Sequence, residues 1–177
     1  MTAFENLYSR RSIRTYNGEA LTDTELKEIL KAAYAAPVGR KKYETLTLTV
    51  IKNKDFIERW DKITAVSFGD PELHPLYNAP TVILISSVVN EAPQDNVNYS
   101  NAAIIAHNMT LAATALGIGS CLIWGAVRTL NVEPELLHEL NIPDGMRPCC
   151  AITLGHTDEI FEVRDVEENR IKTEYFN

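Results

Sequence analysis

Residues 98–117, NYSNAAIIAHNMTLAATALG, contain no Asp, Glu, Lys or Arg and are rich in alanine. The run ends at Gly117, a residue type that commonly terminates helices. A helix over these residues would span roughly 30 Å. A helix that is apolar on most sides is buried, either in a core or between subunits. The stretch therefore predicts a long buried helix around which the rest of the chain is organised.

A membrane-spanning role is disfavoured for this helix. Asn98, Asn101, His107 and Asn108 place polar groups inside it, and such groups are costly in the hydrocarbon core of a bilayer. The mean hydropathy of the whole chain is only −0.14. The N-terminal sequence MTAFENLYSRRS has no apolar stretch of the kind found in signal peptides. We therefore expect no contact with a membrane and a cytoplasmic location.

Shorter elements surround this helix on both sides. Capping-box pairs, Thr2 with Glu5 and Thr22 with Glu25, predict helices over 3–9 and from residue 22 to a stop at Pro37. The remaining periodicity predicts strands at 46–51, 80–88, 120–124 and 149–155, helices at 54–65 and 134–140, and loops at 66–79 and 89–97. Helices that alternate with strands around one sheet indicate an α+β or α/β sandwich. Because no linker or repeat interrupts the pattern, one domain over residues 1–177 is expected.

The composition excludes several classes of protein. Of 177 residues, 45% are hydrophobic and 23% are charged, which is typical of a globular chain. The net charge of −7 argues against broad nucleic-acid binding, which requires a basic face. The three cysteines form no CxxC pattern, which disfavours a disulfide framework or a zinc site and favours a reducing compartment. The four histidines also lack metal-ligand spacing and are expected to be structural.

Arg10, Arg11, Ser12 and Arg14 form a basic cluster in this otherwise acidic chain. In an extended segment, the side chains at positions 10, 12 and 14 project to the same side. Guanidinium groups match the oxygens of a phosphate, and a hydroxyl adds a further donor. The segment therefore predicts a phosphate clamp. The alternative is a solvated basic turn that pairs with the acidic tail at 158–177.

Two turns could offer free backbone groups to a ligand. Pro37–Gly39 breaks a helix and leaves backbone groups free, although on local grounds a simple helix stop followed by the charged loop Arg40–Lys42 is the better interpretation. A strand that ends at Trp124 and Gly125 would expose N–H groups to a planar ring, and the alternative is a core strand that ends in a glycine turn. No GxGxxG, GxxxxGK[ST] or GxSxG motif occurs in the chain. Rossmann, P-loop and nucleophile-elbow sites are therefore disfavoured.

In their order along the chain, four segments resemble the nitroreductase family of flavin enzymes. They are RRSIRTY at 10–16, AAPVG at 35–39, the 98–117 run continuing into GIGSCLIWG at 117–125, and CCAITLGH at 149–156. The Ala-Pro-Val-Gly turn is similar to that of a short branch of the family. The resemblance implies an α+β sandwich with a mostly antiparallel central sheet flanked by helices. It also implies a homodimer with the long alanine-rich helix at its interface.

The same resemblance implies how FMN is held. The flavin phosphate would contact Arg10, Ser12 and Arg14, with Arg11 beside them and either Arg164 or Arg170 reaching it from late in the chain. The flavin would also contact two backbone segments. One is Pro37, Val38 and Gly39 of the partner subunit. The other is Leu122, Ile123, Trp124 and Gly125, which would lie near flavin N5.

The implied activity is hydride transfer from NADH or NADPH through the flavin to an electron-poor acceptor such as a nitroaromatic or a quinone. The flavin carries the chemistry, so no catalytic side chain and no metal are expected. Alternatives are another FMN reaction, such as reductive dehalogenation, or a non-catalytic flavin carrier of the same fold.

Overall fold

The computed structural model describes residues 1–91 and 95–177. Its helices and strands, in chain order, are α1 (Ala3–Ser9), α2 (Asp23–Tyr34), β1 (Leu46–Ile51), α3 (Lys54–Ser67), β2 (Thr81–Val88), α4 (Asp95–Ala115), β3 (Gly119–Ile123), α5 (Gly125–Leu130), α6 (Pro134–Glu139) and β4 (Met146–Gly155). Single 3₁₀ turns at Gly39–Lys41 and Tyr43–Thr45 lead into β1. Within the described ranges, none of the helices combines the length and apolar character needed to cross a membrane.

The four strands form one antiparallel sheet in the order β1-β2-β4-β3. β2 and β4 lie at its centre, so almost every residue of β2 is buried, as its apolar run predicted. A register shift between Ile85 and Ser86 places Pro148 of β4 opposite Ser86. A proline, which cannot donate a backbone hydrogen bond, is therefore tolerated in a central strand because it lies at a bulge.

Helices cover both faces of the sheet and create two apolar cores. On one face, α2 and α4 pack against Ile83, Ile85 and Ile152. On the other face, α3 and α5 cover Val82 and Leu84. There the Nε1–H of the fully buried Trp60 donates to the Ala126 carbonyl at 2.8 Å. The expected α+β sandwich with a sheet flanked by helices is confirmed.

α4 confirms the predicted long helix but is not buried on every side. Met109, Ala106 and Ala113 pack into the core, whereas Val97 and Ile104 are 52% and 39% exposed. The helix begins at Asp95, so the predicted loop at 89–97 is wrong for residues 95–97, while residues 92–94 lie outside the described ranges. One face of α4 thus remains available for contact with another molecule.

Other boundaries also differ from the prediction. The strand expected at 120–124 ends at Ile123, and Trp124 precedes α5, a helix that was not predicted. α5 has only six residues and no side-chain cap, so it carries neither a helical period nor a capping signal. α3 continues through Ser67 into the predicted 66–79 loop, and β4 begins at Met146 rather than at residue 149.

Candidate functional site

The segment at residues 10–14 lies along the outer edge of β3. The Ile13 N–H donates to the Ser120 carbonyl at 2.9 Å, and the Ile13 side chain is fully buried. Gly119 permits this close approach, because a Cβ there would lie 2.9 Å from Ile13 Cγ2 and 3.1 Å from the Gly155 oxygen. With Ile13 directed inward, alternation directs Ser12 and Arg14 outward, where both are exposed.

Arg10, Ser12 and Arg14 share one neighbour, the Cys121 side chain of β3. Burial raises the pKa of the Cys121 thiol, and the charges of Arg14 and Arg10 together with hydrogen bonding from Ser12 act in the opposite direction. The three predicted clamp residues therefore all lie near the Cys121 side chain. Cys121 itself was missed by sequence reasoning, since only the pairing of the segment with β3 brings it to the cluster.

Arg164 reaches the same cluster from the C-terminal segment. Its Nε donates to the Tyr8 carbonyl at 2.9 Å and its Nη2 donates to the Arg10 carbonyl at 2.6 Å. Burial lowers the pKa of Arg10, and the positive charge of Arg164 lowers it further. Of the two late basic residues, Arg164 lies at the cluster, whereas no hydrogen bond in the described ranges joins Arg170 to it.

Arg14 is oriented by Tyr77. Its Nε donates to the Tyr77 hydroxyl at 3.2 Å, and its guanidinium carbon lies 5.7 Å from the centre of the Tyr77 ring. That hydrogen bond is the main reason that the pKa of Arg14 is raised. Tyr77 lies in the predicted 66–79 loop, where no sequence pattern pointed to it.

The cluster holds positive charge without carboxylate partners. Across residues 1–91 and 95–177, no ion pair involves Arg10, Arg11, Arg14 or Arg164. The alternative of a basic turn paired with the acidic tail is therefore wrong for this part of the chain. Arg11 differs from its neighbours, because its Nε is buried and has no hydrogen-bond partner among the described residues. Guanidinium groups gathered in this way are suited to an anionic ligand.

The Pro37–Gly39 turn is held against α4. The Gly39 N–H donates to Asn101 Oδ1 at 3.1 Å, and a Cβ at Gly39 would lie 3.0 Å from Val97 Cγ1. Val38 directs its side chain into the core and is only 8% exposed, so it can offer a ligand only its backbone. Asn101 was missed as a residue that positions this turn, because it was considered only as a polar interruption of a buried helix.

Within one chain, the Pro37–Gly39 turn and the basic cluster lie beside different parts of α4. Asn101 binds the turn, whereas His107, six residues further on, lies near Arg10. Burial lowers the pKa of His107, and the Arg10 charge adds to that effect. Six helical residues correspond to about 9 Å. No hydrogen bond among the described residues joins the turn to the cluster, so the predicted residues fall into two groups.

The end of β3 belongs to the cluster's side of the molecule. Leu122 and Trp124 expose 38% and 48% of their surfaces, whereas Ile123 is buried. Gly125 packs against Phe68, because a Cβ at Gly125 would lie 2.6 Å from Phe68 Cζ. β3 is an edge strand, and among the described residues no strand pairs with its outer side beyond Ser120. The segment thus combines the outer edge of the sheet with exposed apolar side chains.

Known proteins share this architecture. A solved nitroreductase with bound FMN from Bacteroides fragilis matches with a TM-score of 0.81 and 26% identity, covering 99% of this chain and 100% of that one. An FMN reductase [NAD(P)H] of Bacillus subtilis is 27% identical over 191 residues, covering 98% of this chain and 71% of its own length. A relative from Archaeoglobus fulgidus, named for NADH dehydrogenase/NAD(P)H nitroreductase activity, is 28% identical over 151 residues, covering 85% and 82%.

The chain also matches the model of a protein family. The model of the nitroreductase family covers residues 7–156, which include the basic cluster, the Pro37–Gly39 turn, α4 and the end of β3. The segments from which the resemblance was inferred all lie within this match. The chain therefore belongs to the nitroreductase family.

Proposed function

We propose that this chain is an NAD(P)H-dependent FMN oxidoreductase that reduces electron-poor acceptors such as nitroaromatics or quinones. The observation that carries the proposal is the convergence of Arg10, Ser12, Arg14 and Arg164 without a carboxylate partner in the described ranges. Solved relatives with bound FMN and curated relatives named as FMN reductases support the choice of cofactor. FMN carries a phosphate for the cluster and a flat apolar ring for the neighbouring surface.

The fit of FMN to the cluster rests on charge and on space. The guanidinium groups favour an anion, and Gly119 lets the segment lie close enough to β3 for Arg10, Ser12 and Arg14 to lie near Cys121. The Arg164 guanidinium uses two of its nitrogens to bind carbonyl groups, so it fixes the cluster's backbone while its charge stays beside Arg10. In this proposal the phosphate binds at Arg10, Ser12 and Arg14, and Arg164 adds electrostatic support.

The ring of the flavin would lie beside the end of β3. When bound, FMN supplies a centre that takes up hydride from NADH or NADPH and passes reducing equivalents to the acceptor. The outer backbone groups of Leu122–Gly125 would orient the ring by hydrogen bonds. Trp124 and Leu122 would cover its edge and exclude water, because their side chains are exposed on this side. The protein's contribution is therefore binding and orientation, and no side chain is assigned a proton transfer.

The second half of the site would come from a second copy of the chain. The Pro37–Gly39 turn has no hydrogen bond to the cluster within the described part of one chain, and one face of α4 is exposed between them. Apolar side chains on α1 and α4 are also exposed, namely Phe4, Leu7, Tyr8, Val97 and Ile104. A two-fold dimer through these helices would cover this surface and place each turn near the partner's cluster. We accordingly propose a cytoplasmic homodimer in which residues 1–177 form one FMN-binding domain.

A flavin titration tests the cofactor. Flavin-free protein should bind FMN and gain thermal stability, about 2.7 kcal/mol at a hundredfold excess over the dissociation constant. For a chain of this size that corresponds to a shift of several degrees, at about 2–4 °C per kcal/mol. Riboflavin, which lacks the phosphate, should give a smaller shift. Equal shifts would contradict the clamp, and no shift with either flavin would contradict the whole proposal.

A second measurement separates an enzyme from a flavin carrier. NADH or NADPH should bleach the visible absorbance of the FMN-loaded protein, and a nitroaromatic or a quinone should restore it. Both half-reactions should be fast enough to account for steady-state turnover. Bound flavin that neither nucleotide reduces would leave the carrier as the better description.

A further inference from the structure

A separate surface cavity of about 710 Å³ lies on the α3 side of the molecule. It is enclosed by the turn around Gly18, the first half of α3 and the segment at 74–80. Its lining includes none of the residues proposed to hold FMN. Ligand-binding pockets usually have volumes of about 300–1,000 Å³, so the cavity has the size of a small-molecule site.

A buried carboxylate forms the base of the cavity. Asp61 is 5% exposed, its Oδ1 accepts from the Leu76 N–H at 2.7 Å, and its Oδ2 lies 2.9 Å from His74 Nδ1. Since a carboxylate only accepts hydrogen bonds, His74 donates through Nδ1–H and its ring is held in one orientation. The imidazole edge that carries Nε2 makes no hydrogen bond in the described ranges, and the side chain is 58% exposed.

The cavity is also lined by lysines. Lys52, Lys54 and Lys62 line it together with one further carboxylate, that of Glu58. Lys52 lies 3.6 Å from Asp23 and Lys54 lies 3.6 Å from Glu58, but both pairs are exposed and such pairs contribute little. Lys62 forms no ion pair within residues 1–91 and 95–177. The three ammonium groups outnumber the two lining carboxylates, Glu58 and Asp61, by one, and Lys62 is the lining cation without an ion pair in the described ranges.

The remaining walls are apolar. They are formed by Ala20, Ile57, Leu76, Ala79 and Pro80. Ala20 and Pro80 are the wall residues with accessible surface; an inorganic ion would leave that surface in water, whereas an apolar group bound there would cover it. We propose that this cavity is a second binding site for a small organic anion. Its carboxylate or phosphate is held by Lys62 and by His74, which then donates Nε2–H to the ligand as well as Nδ1–H to Asp61, and its compact apolar body packs on Ala20 and Pro80.

The segment at 74–80 has an unusual backbone conformation beside the cavity. Tyr77 and Asn78 both adopt left-handed conformations, with φ of 57° and 53°. Consecutive non-glycine residues in this region are costly and persist where the surrounding structure fixes them. Here the Tyr77 N–H donates to the His74 carbonyl at 2.8 Å, and the Asp61 carboxylate holds the Leu76 N–H. The same residues that fix this backbone therefore also fix His74 at the cavity.

Calorimetric titration with four probes tests the proposed site. Benzoate and phenyl phosphate supply both an anion and an apolar body, benzamide lacks the charge, and inorganic phosphate lacks the apolar body. The two organic anions should bind at least about tenfold more tightly than benzamide or inorganic phosphate. If benzoate binds more tightly than phenyl phosphate, the site prefers a carboxylate. If phenyl phosphate binds more tightly, the site prefers a phosphate. Benzamide binding as tightly as benzoate, or no binding of either organic anion, would overturn the proposal.

Variants locate the binding within the molecule. Lys62→Gln and His74→Gln should each weaken benzoate and phenyl phosphate binding about tenfold. Lys27→Gln, which removes an exposed charge on α2, should change nothing. Lys62 is exposed, so its substitution leaves folding intact even if the His74 variant is unstable. Arg10→Ala tests the FMN site separately. Anion binding lost in Arg10→Ala but retained in Lys62→Gln would place the ligand at the flavin cluster and overturn the second site.

Discussion

At the scale of single residues, the site depends on how each cation is partnered. The Arg164 guanidinium binds the carbonyl groups of Tyr8 and Arg10, and Arg14 is oriented by the Tyr77 hydroxyl. These two cations are thus held by neutral oxygens, which position them without cancelling their charge. Such an arrangement keeps the electrostatic attraction for an anion while lowering the entropy that the side chains lose when the anion binds.

Arg10→Ala and Arg14→Ala should each weaken FMN binding by about one to two decades in dissociation constant, because a hydrogen bond to a charged group contributes about 1.5–3 kcal/mol. Quenching of flavin fluorescence during titration measures this affinity. The matched control is Arg147→Ala, which removes an exposed arginine at the start of β4. Unchanged FMN affinity in both cluster variants would remove these residues from the site.

Glu25 connects a local cap to the pH dependence of folding. Its pKa is lowered, chiefly by the hydrogen bond from the Thr22 N–H, which lies 2.8 Å from Glu25 Oε2. A carboxyl group with a depressed folded pKa stabilises the fold above its unfolded value, and this stability is lost as the pH falls through the folded value. The urea midpoints of the wild type and of Glu25→Gln should therefore differ at about pH 6 and converge towards about pH 3. Glu28→Gln, which removes an exposed carboxylate from the same helix, is the matched control.

At the scale of elements, sequence signals between nearby residues predicted helices and strands, whereas contacts between distant residues were not predicted. The capping boxes at Thr2 and Thr22 are both present, and the alternating LTLTVI forms β1 at the predicted bounds. These features depend on residues three or fewer positions apart. α5 gave no such signal, and the Asn101 contact to Gly39 joins residues 62 positions apart. The extended pattern at residues 10–14 predicted which side chains would align, but the contribution of Cys121 and Tyr77 required the tertiary fold.

Asn101→Ala should loosen the Pro37–Gly39 turn, because the Gly39 N–H loses its acceptor. Leaving a partly buried donor unpaired costs about 1–3 kcal/mol, so the free energy of unfolding should fall by that amount. Amide hydrogen exchange at Gly39 should become faster, while exchange in the sheet stays slow. Asn96→Ala removes an exposed amide from the same helix and serves as the control. Unchanged exchange at Gly39 would mean that other contacts hold the turn.

At the scale of the whole molecule, the exposed apolar side chains of α1 and α4 predict assembly. Light scattering should give twice the chain mass of 19.8 kDa at micromolar concentration. Ile104→Asp places a charge on the exposed face of α4 and should shift the protein towards monomer and weaken FMN binding. Val132→Asp introduces the same charge at a site that is 72% exposed and lies outside α1 and α4, so it should leave the dimer intact. A monomer that retains full FMN affinity would contradict the shared site.

The position of β4 has a consequence for how the chain acquires its structure during synthesis. β4 is the last strand to leave the ribosome, yet it lies between β2 and β3 and is the only described strand that pairs with β3. Until residue 155 has emerged, the nascent chain has β1 and β2 able to pair and β3 without a neighbour. Both apolar cores use β4 residues, Cys150 and Ile152 on one face and Ala151 on the other. The long apolar α4 therefore remains in an incomplete globule, exposed to aggregation or to chaperones, until β4 has been synthesised.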